Sequence, residues 1–299
     1  MTDSTATLQQ SKKKPLYSHT PNNTIHTSKP TMTFVRALKA QMLCLRHSAL
    51  VPLHLVCALV AGLACGLYFA VSPWNITLGF DAFVQLLGAL MPLMAGIVCG
   101  LDVNAEEEAT KLSGLLSAVS RQQALFARLA LLWLMGVGTL AVTIVIFALV
   151  LLVAARDVPE VSVWLAGIGG LALGSIPLYL MLYTTALQWG RNAAISIGAL
   201  GLILAFFSVG GLAHGLMTGE LTATALNMFA YLPTSWAIIL GSAPIEWAVA
   251  AGAASSADTL DAVISTVQVM MGLCMIGSAL FAGSMAIWIS RFEPTQRGE

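Results

Sequence analysis

Long apolar stretches alternate with short polar segments along most of this chain. From residue 48 onward, six stretches are each long enough for a membrane-spanning helix, which needs about 20 apolar residues. They cover residues 48–71, 83–101, 124–155, 164–189, 193–213 and 263–289. Because the stretches are uninterrupted, they predict helices rather than the alternating strands of a β-barrel. The pattern predicts an all-α polytopic membrane protein with six transmembrane helices.

Two segments outside these stretches also carry a structural signal. In residues 33–47, apolar side chains recur at helical spacing beside basic ones, which predicts an N-terminal interfacial helix; a plain extension of the first span is the alternative. The segment Gly215–Asp261 is predicted to be external. Its apolar part, residues 227–243, is interrupted by Pro233, which favours a re-entrant or interfacial element over a seventh span.

Composition supports the membrane assignment and divides the chain. Of the 299 residues, 58% are hydrophobic and 9% are charged, whereas soluble domains carry about 25% charged residues. Too little polar surface remains to cover a globule in water. Residues 1–30 are rich in Ser, Thr, Asn and Lys and predict a disordered cytoplasmic tail. Residues 31–292 form the predicted transmembrane domain, and residues 293–299 a second cytoplasmic tail.

Charge placement predicts the orientation. If the N-terminus is cytoplasmic, only Arg156 of the 14 Lys and Arg residues lies outside. This follows the positive-inside rule. It predicts a multi-pass protein of the cell membrane with both termini cytoplasmic. The acids predicted to face outside are Asp81, Asp157, Glu160, Glu220, Glu246, Asp258 and Asp261. They either follow from the topology alone or attract a cationic substrate.

The chain lacks the usual sequence signals of an energy source. No Asp, Glu, Lys or Arg occupies the middle of a predicted span, which argues against ion-coupled transport. No Lys follows a Gly, so there is no Walker A loop, and any ATP hydrolysis would belong to another chain. The five cysteines lack metal-ligand spacing. These observations predict no enzyme activity and no cofactor in this chain.

The most informative polar segment lies between the second and third apolar stretches. It predicts a helix from Asn104 to Arg121, with Asn104 as the N-cap and Glu107 completing a capping box. Leucines and a valine then recur on one face. The members of this apolar stripe are Leu112, Leu115, Leu116 and Val119. Such a stripe must be buried, either against the protein's own inner ends or in a groove of a soluble partner.

The same segment resembles a known family. The residues EEEATKLSGLLSAVSRQQALFARL, 106–129, are similar to the intracellular coupling segment of ABC-2 type permeases. The matching features are an acidic residue, a small residue, a Leu-Leu pair, a Ser-Arg pair and a basic residue entering the third span. They correspond to Glu107 or Glu108, Ala109, Leu115–Leu116, Ser120–Arg121 and Arg128. Arg128 stands where the family more often has Lys.

Within that family, the chain is most similar to permease subunits of lantibiotic protection (immunity) transporters. The residues RNAAISIGALGLILAF at the start of the fifth span, the external loop after it and the element Leu232–Trp236 carry this resemblance. It covers roughly residues 33–292. It implies a permease subunit of an ATP-driven exporter that expels a cationic lantibiotic-type peptide from the membrane, so that the cell is protected.

The resemblance also implies partners and a coupling site. The partners are an ABC ATPase subunit that binds ATP and Mg²⁺, a second permease (a copy of this chain or a related one), membrane lipid and the peptide substrate; no nucleic acid is implied. The residues expected to couple the chain to the ATPase are Glu107, Glu108, Leu112, Leu115, Leu116, Val119 and Arg121. No substrate-binding residue is assigned.

Two alternatives remain open at the level of sequence. The first is an ABC-2 exporter of a lipid, a drug or a polysaccharide. The second belongs to another class: a membrane protein without transport activity, with an assembly or sensory role, or an intramembrane enzyme. An intramembrane hydrolase would need a nucleophile and a base inside the spans. Ser208 and His214 are close in sequence, but no nucleophile motif surrounds them.

Overall fold

The computed structural model describes residues 33–45, 48–112, 118, 120–208, 214–218, 220–224, 226–252 and 257–291. These ranges contain nine α-helices and no strands. The helices are α1 Phe34–Leu45, α2 Leu50–Val71, α3 Ile76–Thr110, α4 Arg121–Val153, α5 Val161–Trp189, α6 Arg191–Phe207, α7 His214–Thr218, α8 Trp236–Gly252 and α9 Ala257–Arg291. The predicted tails, residues 1–30 and 293–299, lie outside the described residues.

Five of the helices are long and apolar enough to cross a membrane, which indicates a multi-pass membrane protein. They are α2, α3, α4, α5 and α9, and each contains most of one predicted span. The remaining predicted span, residues 193–213, corresponds to α6. This helix has 17 residues and ends at Phe207, before the predicted end. At 1.5 Å per residue it is about 26 Å long, shorter than the five others.

Helix α3 is the centre of the bundle. It packs against α5, α6 and α8, and phenylalanines near its start stack on side chains of α4 and α5. We call the end of the bundle where α3 ends and α4 begins the inner end, because the sequence predicts it to be cytoplasmic. The opposite end, where α2 ends and α3 begins, is the outer end.

Three pairs with small-xxx-small spacing lie in α2, α5 and α9, and two of these pairs bring helices together. Gly62 and Gly66 of α2 lie against α4, where an added Cβ would come within 3.0 Å of Ile146 or Val150. Gly170 and Gly174 of α5 lie against the backbone of α8. In the third pair, an added Cβ on Gly283 would meet nothing within 4 Å. Close approach within this chain therefore explains the first two pairs.

The chain folds back into the bundle between α6 and α9. Asn227 lies at the end of α6, where its backbone N–H donates to the carbonyl of Ser208 at 3.5 Å. From there the chain runs back along α6, and the Thr234 methyl lies beside Gly201. Helix α8 then begins deep in the bundle and runs toward the outer end. We call residues 226–252 the folded-back segment.

Much of the folded-back segment is buried inside the bundle. The sequence predicted an external segment over Gly215–Asp261, yet most of α8 from Trp236 to Glu246 is buried between α3, α5 and α9. The reason is the run of small residues on the facing helix: Gly170 and Gly174 let the α8 backbone lie directly on α5.

The inner end of α3 corrects one sequence prediction. Asn104 does not begin a separate helix, because α3 continues unbroken from Ile76 to Thr110. The Asn104 side chain instead donates to Glu108 Oε1 at 2.7 Å within that helix. Lys111 and Leu112 then take positive φ angles of 51° and 63°, which ends the helix. The predicted helix Asn104–Arg121 is therefore wrong for its first part, and residues 113–117 and 119 lie outside the described residues.

Candidate functional site

A cluster of charged side chains joins α3 to α4 at the inner end. The Arg128 guanidinium of α4 donates through Nε to Asp102 Oδ2 at 2.7 Å and through Nη1 to Glu106 Oε2 at 2.6 Å. Its Nη2 also reaches Asp102 Oδ1 at 3.1 Å. The hydroxyl of Tyr183 in α5 donates to Asp102 Oδ2 at 3.4 Å. We call Asp102, Glu106, Arg128 and Tyr183 the inner polar cluster.

Helical spacing and burial explain why this cluster forms. Asp102 and Glu106 are four residues apart and therefore lie on the same face of α3. Only 4% of the Asp102 side chain and 14% of the Arg128 side chain are exposed. Such buried charges are tolerated only when they are paired and hydrogen-bonded. Moreover, both acids lie near the C-terminal end of α3, where the helix dipole disfavours negative charge, so they need the cation of Arg128.

The structure describes only some of the residues predicted to couple the chain to a partner. Glu108 is exposed, Glu107 is half-buried at the end of α3, and Arg121 is the exposed first residue of α4. Leu115, Leu116 and Val119 lie outside the described residues. The Ser120 hydroxyl, beside Arg121, accepts a hydrogen bond from the Gln123 N–H at 3.4 Å and thereby caps α4.

Leu112 belongs to the protein's own core. It is 7% exposed and is part of a cluster that includes Leu50, Val103 and Leu125. A side chain that docks into a partner must be accessible, so this finding corrects the assignment of Leu112 to the docking stripe. For this residue the other alternative, packing on the inner ends of the same chain, is the one observed.

A cavity of about 420 Å³ opens beside the inner polar cluster. Its walls come from the junction of α1 and α2, from the last turns of α3 and from α4. Asp102, Glu106 and Arg128 line it together with Gln41 and Ser48. The charged cluster therefore faces a space that is shared by α1 and the inner ends of two long helices.

A second polar cluster lies at the outer end, and its acids are buried. Gln85 Nε2 of α3 donates to Asp81 Oδ2 and to Thr222 Oγ1, each at 2.7 Å. The backbone N–H groups of Thr222 and Ala223 donate to Glu246 Oε1 and Oε2, each at 3.0 Å. Asp81, Gln85, Thr222 and Glu246, which we call the outer acid cluster, thus connect α3 to α8 through the short turn Thr222–Thr224.

This cluster corrects the prediction that Asp81 and Glu246 face the outside. They are 4% and 2% exposed, whereas the five other predicted outer acids are exposed. Asp81 is buried because α3 begins at Ile76, so this residue lies in the second turn of a central helix. The spacing of Asp81 and Gln85 on one helix face was a signal in the sequence, but their partner Glu246 lies too far along the chain to be inferred.

Within the described ranges, no group of three or more His, Cys, Asp or Glu side chains is placed to hold a metal ion. Comparison with protein-family models, with curated protein sequences and with solved structures finds no match to this chain. Function must therefore be argued from the two polar clusters, the fold and the sequence.

Proposed function

We propose that this chain is the membrane-spanning permease subunit of an ATP-driven ABC exporter, and that it expels a cationic lantibiotic-type peptide to protect the cell. The inner polar cluster is the single observation that supports this best. Arg128 holds the last turns of α3 against the start of α4 through both Asp102 and Glu106. The connecting residues 111–120 are therefore attached at both ends to helices held together by buried ion pairs.

Such an attachment suits a coupling segment. A force applied to residues 111–120 by a soluble partner would reach α3 directly, and α3 packs against α5, α6 and α8. Glu107, Glu108 and Arg121 flank the segment and would orient the partner, while Leu115, Leu116 and Val119 would supply apolar contacts. In this proposal ATP and Mg²⁺ bind to the separate ATPase, and a second permease, identical or related, completes the pathway.

The outer end would receive or release the peptide. Asp157, Glu160, Asp258 and Asp261 are exposed there, and a concentration of negative charge attracts cationic molecules. The folded-back segment is held in the bundle at this end. Its burial supports a re-entrant element that lines the pathway between the fifth and sixth spans, with both termini cytoplasmic.

The outer acid cluster favours a second candidate, a transporter driven by an ion gradient. Buried carboxylates are what such transporters need, and Asp81 and Glu246 supply two. This candidate requires no ATPase partner. Isolation of the complex therefore decides between the two proposals.

The first test is a pull-down of the tagged full-length chain from its native membrane in mild detergent, followed by mass spectrometry. The ABC proposal predicts a Walker A ATPase in stoichiometric amount, and a second permease if the pathway is heterodimeric. Recovery of the chain alone, under conditions that keep a known ABC complex intact, would contradict the proposal and favour the ion-driven candidate.

The second test changes the connecting segment. Replacing both Leu115 and Leu116 with Asp should abolish recovery of the ATPase and the resistance to the peptide, because the apolar contact is lost, while the chain still reaches the membrane. The matched control replaces Ser113 and Ser117 with Asp, which adds the same charge and keeps both leucines. Equal loss in the control would show that charge in this segment, rather than the leucine pair, is responsible.

A further inference from the structure

The two acids of the outer acid cluster belong to one polar network at the contact between α3 and α8. A continuous chain of hydrogen bonds joins them, from Asp81 through Gln85 and Thr222 to Glu246. Both side chains are almost completely shielded from solvent, at 4% and 2% exposure. Two ionised carboxylates in such a place would repel each other with little screening by water.

No cation compensates this pair among the described residues. The two ion pairs found there both involve Arg128, at the inner end. Arg156, which follows α4 at the outer end, donates instead to the carbonyl of Trp74 at 3.0 Å. A buried charge without a partner is so costly that such groups neutralise by binding a proton.

The other charged or titratable groups on neighbouring elements leave the pair uncompensated. Helix α5 carries no Asp, Glu, Lys, Arg or His, and the only one on α6, Arg191, is at its inner end. Acids at this end include Glu220 before the turn and Asp258 of α9, which are exposed. They add negative charge and would raise the cost of ionising both members of the pair.

The hydrogen bonds distinguish the two acids. Glu246 receives backbone N–H groups on both carboxylate oxygens, an arrangement that stabilises the ionised form. Asp81 receives a single donor, Gln85, on Oδ2, and its buried Oδ1 has no hydrogen-bond partner. Donors on both oxygens favour the ionised form of a carboxylate, and Asp81 has a donor on one oxygen only. The proton therefore belongs on Asp81.

We propose that Asp81 is a proton-binding site: at neutral pH it carries a proton, while Glu246 remains ionised. The proton comes from water and returns to water, so no co-reactant is needed. Loss of this proton would place two negative charges on either side of the contact between α3 and α8. The repulsion would loosen the folded-back segment, so an alkaline outer solution would favour its release. This inference does not depend on the proposed export function.

The test is infrared spectroscopy of the purified full-length chain at neutral pH in a detergent without ester groups, because ester carbonyls absorb where a protonated carboxyl does. A protonated carboxylic acid has a carbonyl stretching band that an ionised carboxylate lacks. We expect this band in the wild-type chain and its loss in Asp81→Asn. The matched control, Asp261→Asn, removes an exposed acid of α9 and should leave the band unchanged.

Two results would overturn the proposal: the absence of the band from the wild-type chain, or its full retention in Asp81→Asn. If circular dichroism shows that Asp81→Asn does not fold, the variant Asp81→Glu tests the assignment of the proton to Asp81 instead. This variant keeps an acid on the same helix, so the band should shift in frequency, and an unshifted band would contradict the assignment. Neither readout involves an ATPase or transport, so failure here is distinguishable from failure of the proposed function.

Discussion

Arg128 shows how a single side chain can fix the relation between two long helices. Its guanidinium contacts two acids of α3 that are four residues apart, and it lies inside an otherwise apolar stretch at the start of α4. A lysine offers one ammonium group, whereas the planar guanidinium has several donors in fixed directions. This geometry accounts for an arginine at the position where the resembling family more often has lysine.

Replacing Arg128 with Met should destabilise the chain strongly, because Asp102 would remain buried without a partner. Breaking a buried ion pair from one side costs about 3–5 kcal/mol, and thermal unfolding in detergent would measure the loss. The control Lys39→Met removes an exposed charge of α1 and should have little effect. Adding Asp102→Asn and Glu106→Gln to Arg128→Met should recover much of the stability. A triple variant as unstable as the single one would contradict the role of charge.

The inner polar cluster was only partly predictable from the sequence. Arg128 was identified as the basic residue that enters the third span, but its partners were not predicted. The sequence placed Asp102 just before a new helix and Glu106 in its first turn. There the positive end of the helix dipole stabilises acidic side chains. In the structure they end an existing helix. The difference arises because α3 gains more from continuous hydrogen bonding and the pairing with Arg128 than from a new N-cap at Asn104.

At the scale of elements, the contact between α5 and α8 holds the folded-back segment in place. An added Cβ on Gly170 would overlap the Leu240 carbonyl, and one on Gly174 would come within 2.5 Å of the Ala237 Cα atom. Since these neighbours are backbone atoms, they cannot move aside as a flexible side chain would. The two glycines thus define the depth to which α8 enters the bundle.

The variant Gly174→Ala should displace α8 and lower the free energy of unfolding by about 1–3 kcal/mol, a typical cost of overpacking. Gly169→Ala is the matched control, because an added Cβ there meets nothing within 4 Å and alanine favours the helix. Thermal unfolding of the two variants side by side measures the effect. Equal melting temperatures would show that α8 does not rest on Gly174.

The long helices were predictable and the folded-back segment was predictable only in outline. A stretch of 20 or more apolar residues has few alternatives to a membrane-spanning helix, so the positions of five helices follow from the sequence. Helix α8 is short and contains Pro244 and Glu246, which are signals of an exposed segment. Its burial depends on glycines of α5, some 60 to 70 residues earlier in the chain, and such distant contacts leave no local pattern.

At the scale of the whole molecule, the two ends of the bundle differ in the exposure and the pairing of their acidic side chains. Among the residues that the structure describes, the inner end pairs its buried acids with Arg128, whereas the outer end exposes most of its acids and buries two without a cation nearby. Of the seven acids predicted to face outward, Asp157, Glu160, Glu220, Asp258 and Asp261 remain available to attract a substrate.

Neutralising Asp157 and Glu160 together, as Asn and Gln, should weaken resistance to a cationic lanthionine peptide. The difference from wild type should shrink as salt is added, because surface attraction is screened within about 10 Å at 0.1 M salt. Dose–response curves at two salt concentrations measure both effects. The control exchanges the two acids, Asp157→Glu with Glu160→Asp, and preserves the charge. Superimposable curves for all three proteins would leave these acids without a role in substrate attraction.

Helix α8 also has a consequence for the order in which the chain is assembled. With 17 residues, a proline and a buried glutamate, it is a poor candidate for independent insertion during synthesis. The surfaces that receive it on α3 and α5 are made earlier, but α9, which covers its remaining side, is made last. Until α9 has left the ribosome, the side of α8 that packs against it stays uncovered. Premature termination before residue 257 would therefore expose it to quality-control proteases, even though every preceding long helix had already been inserted.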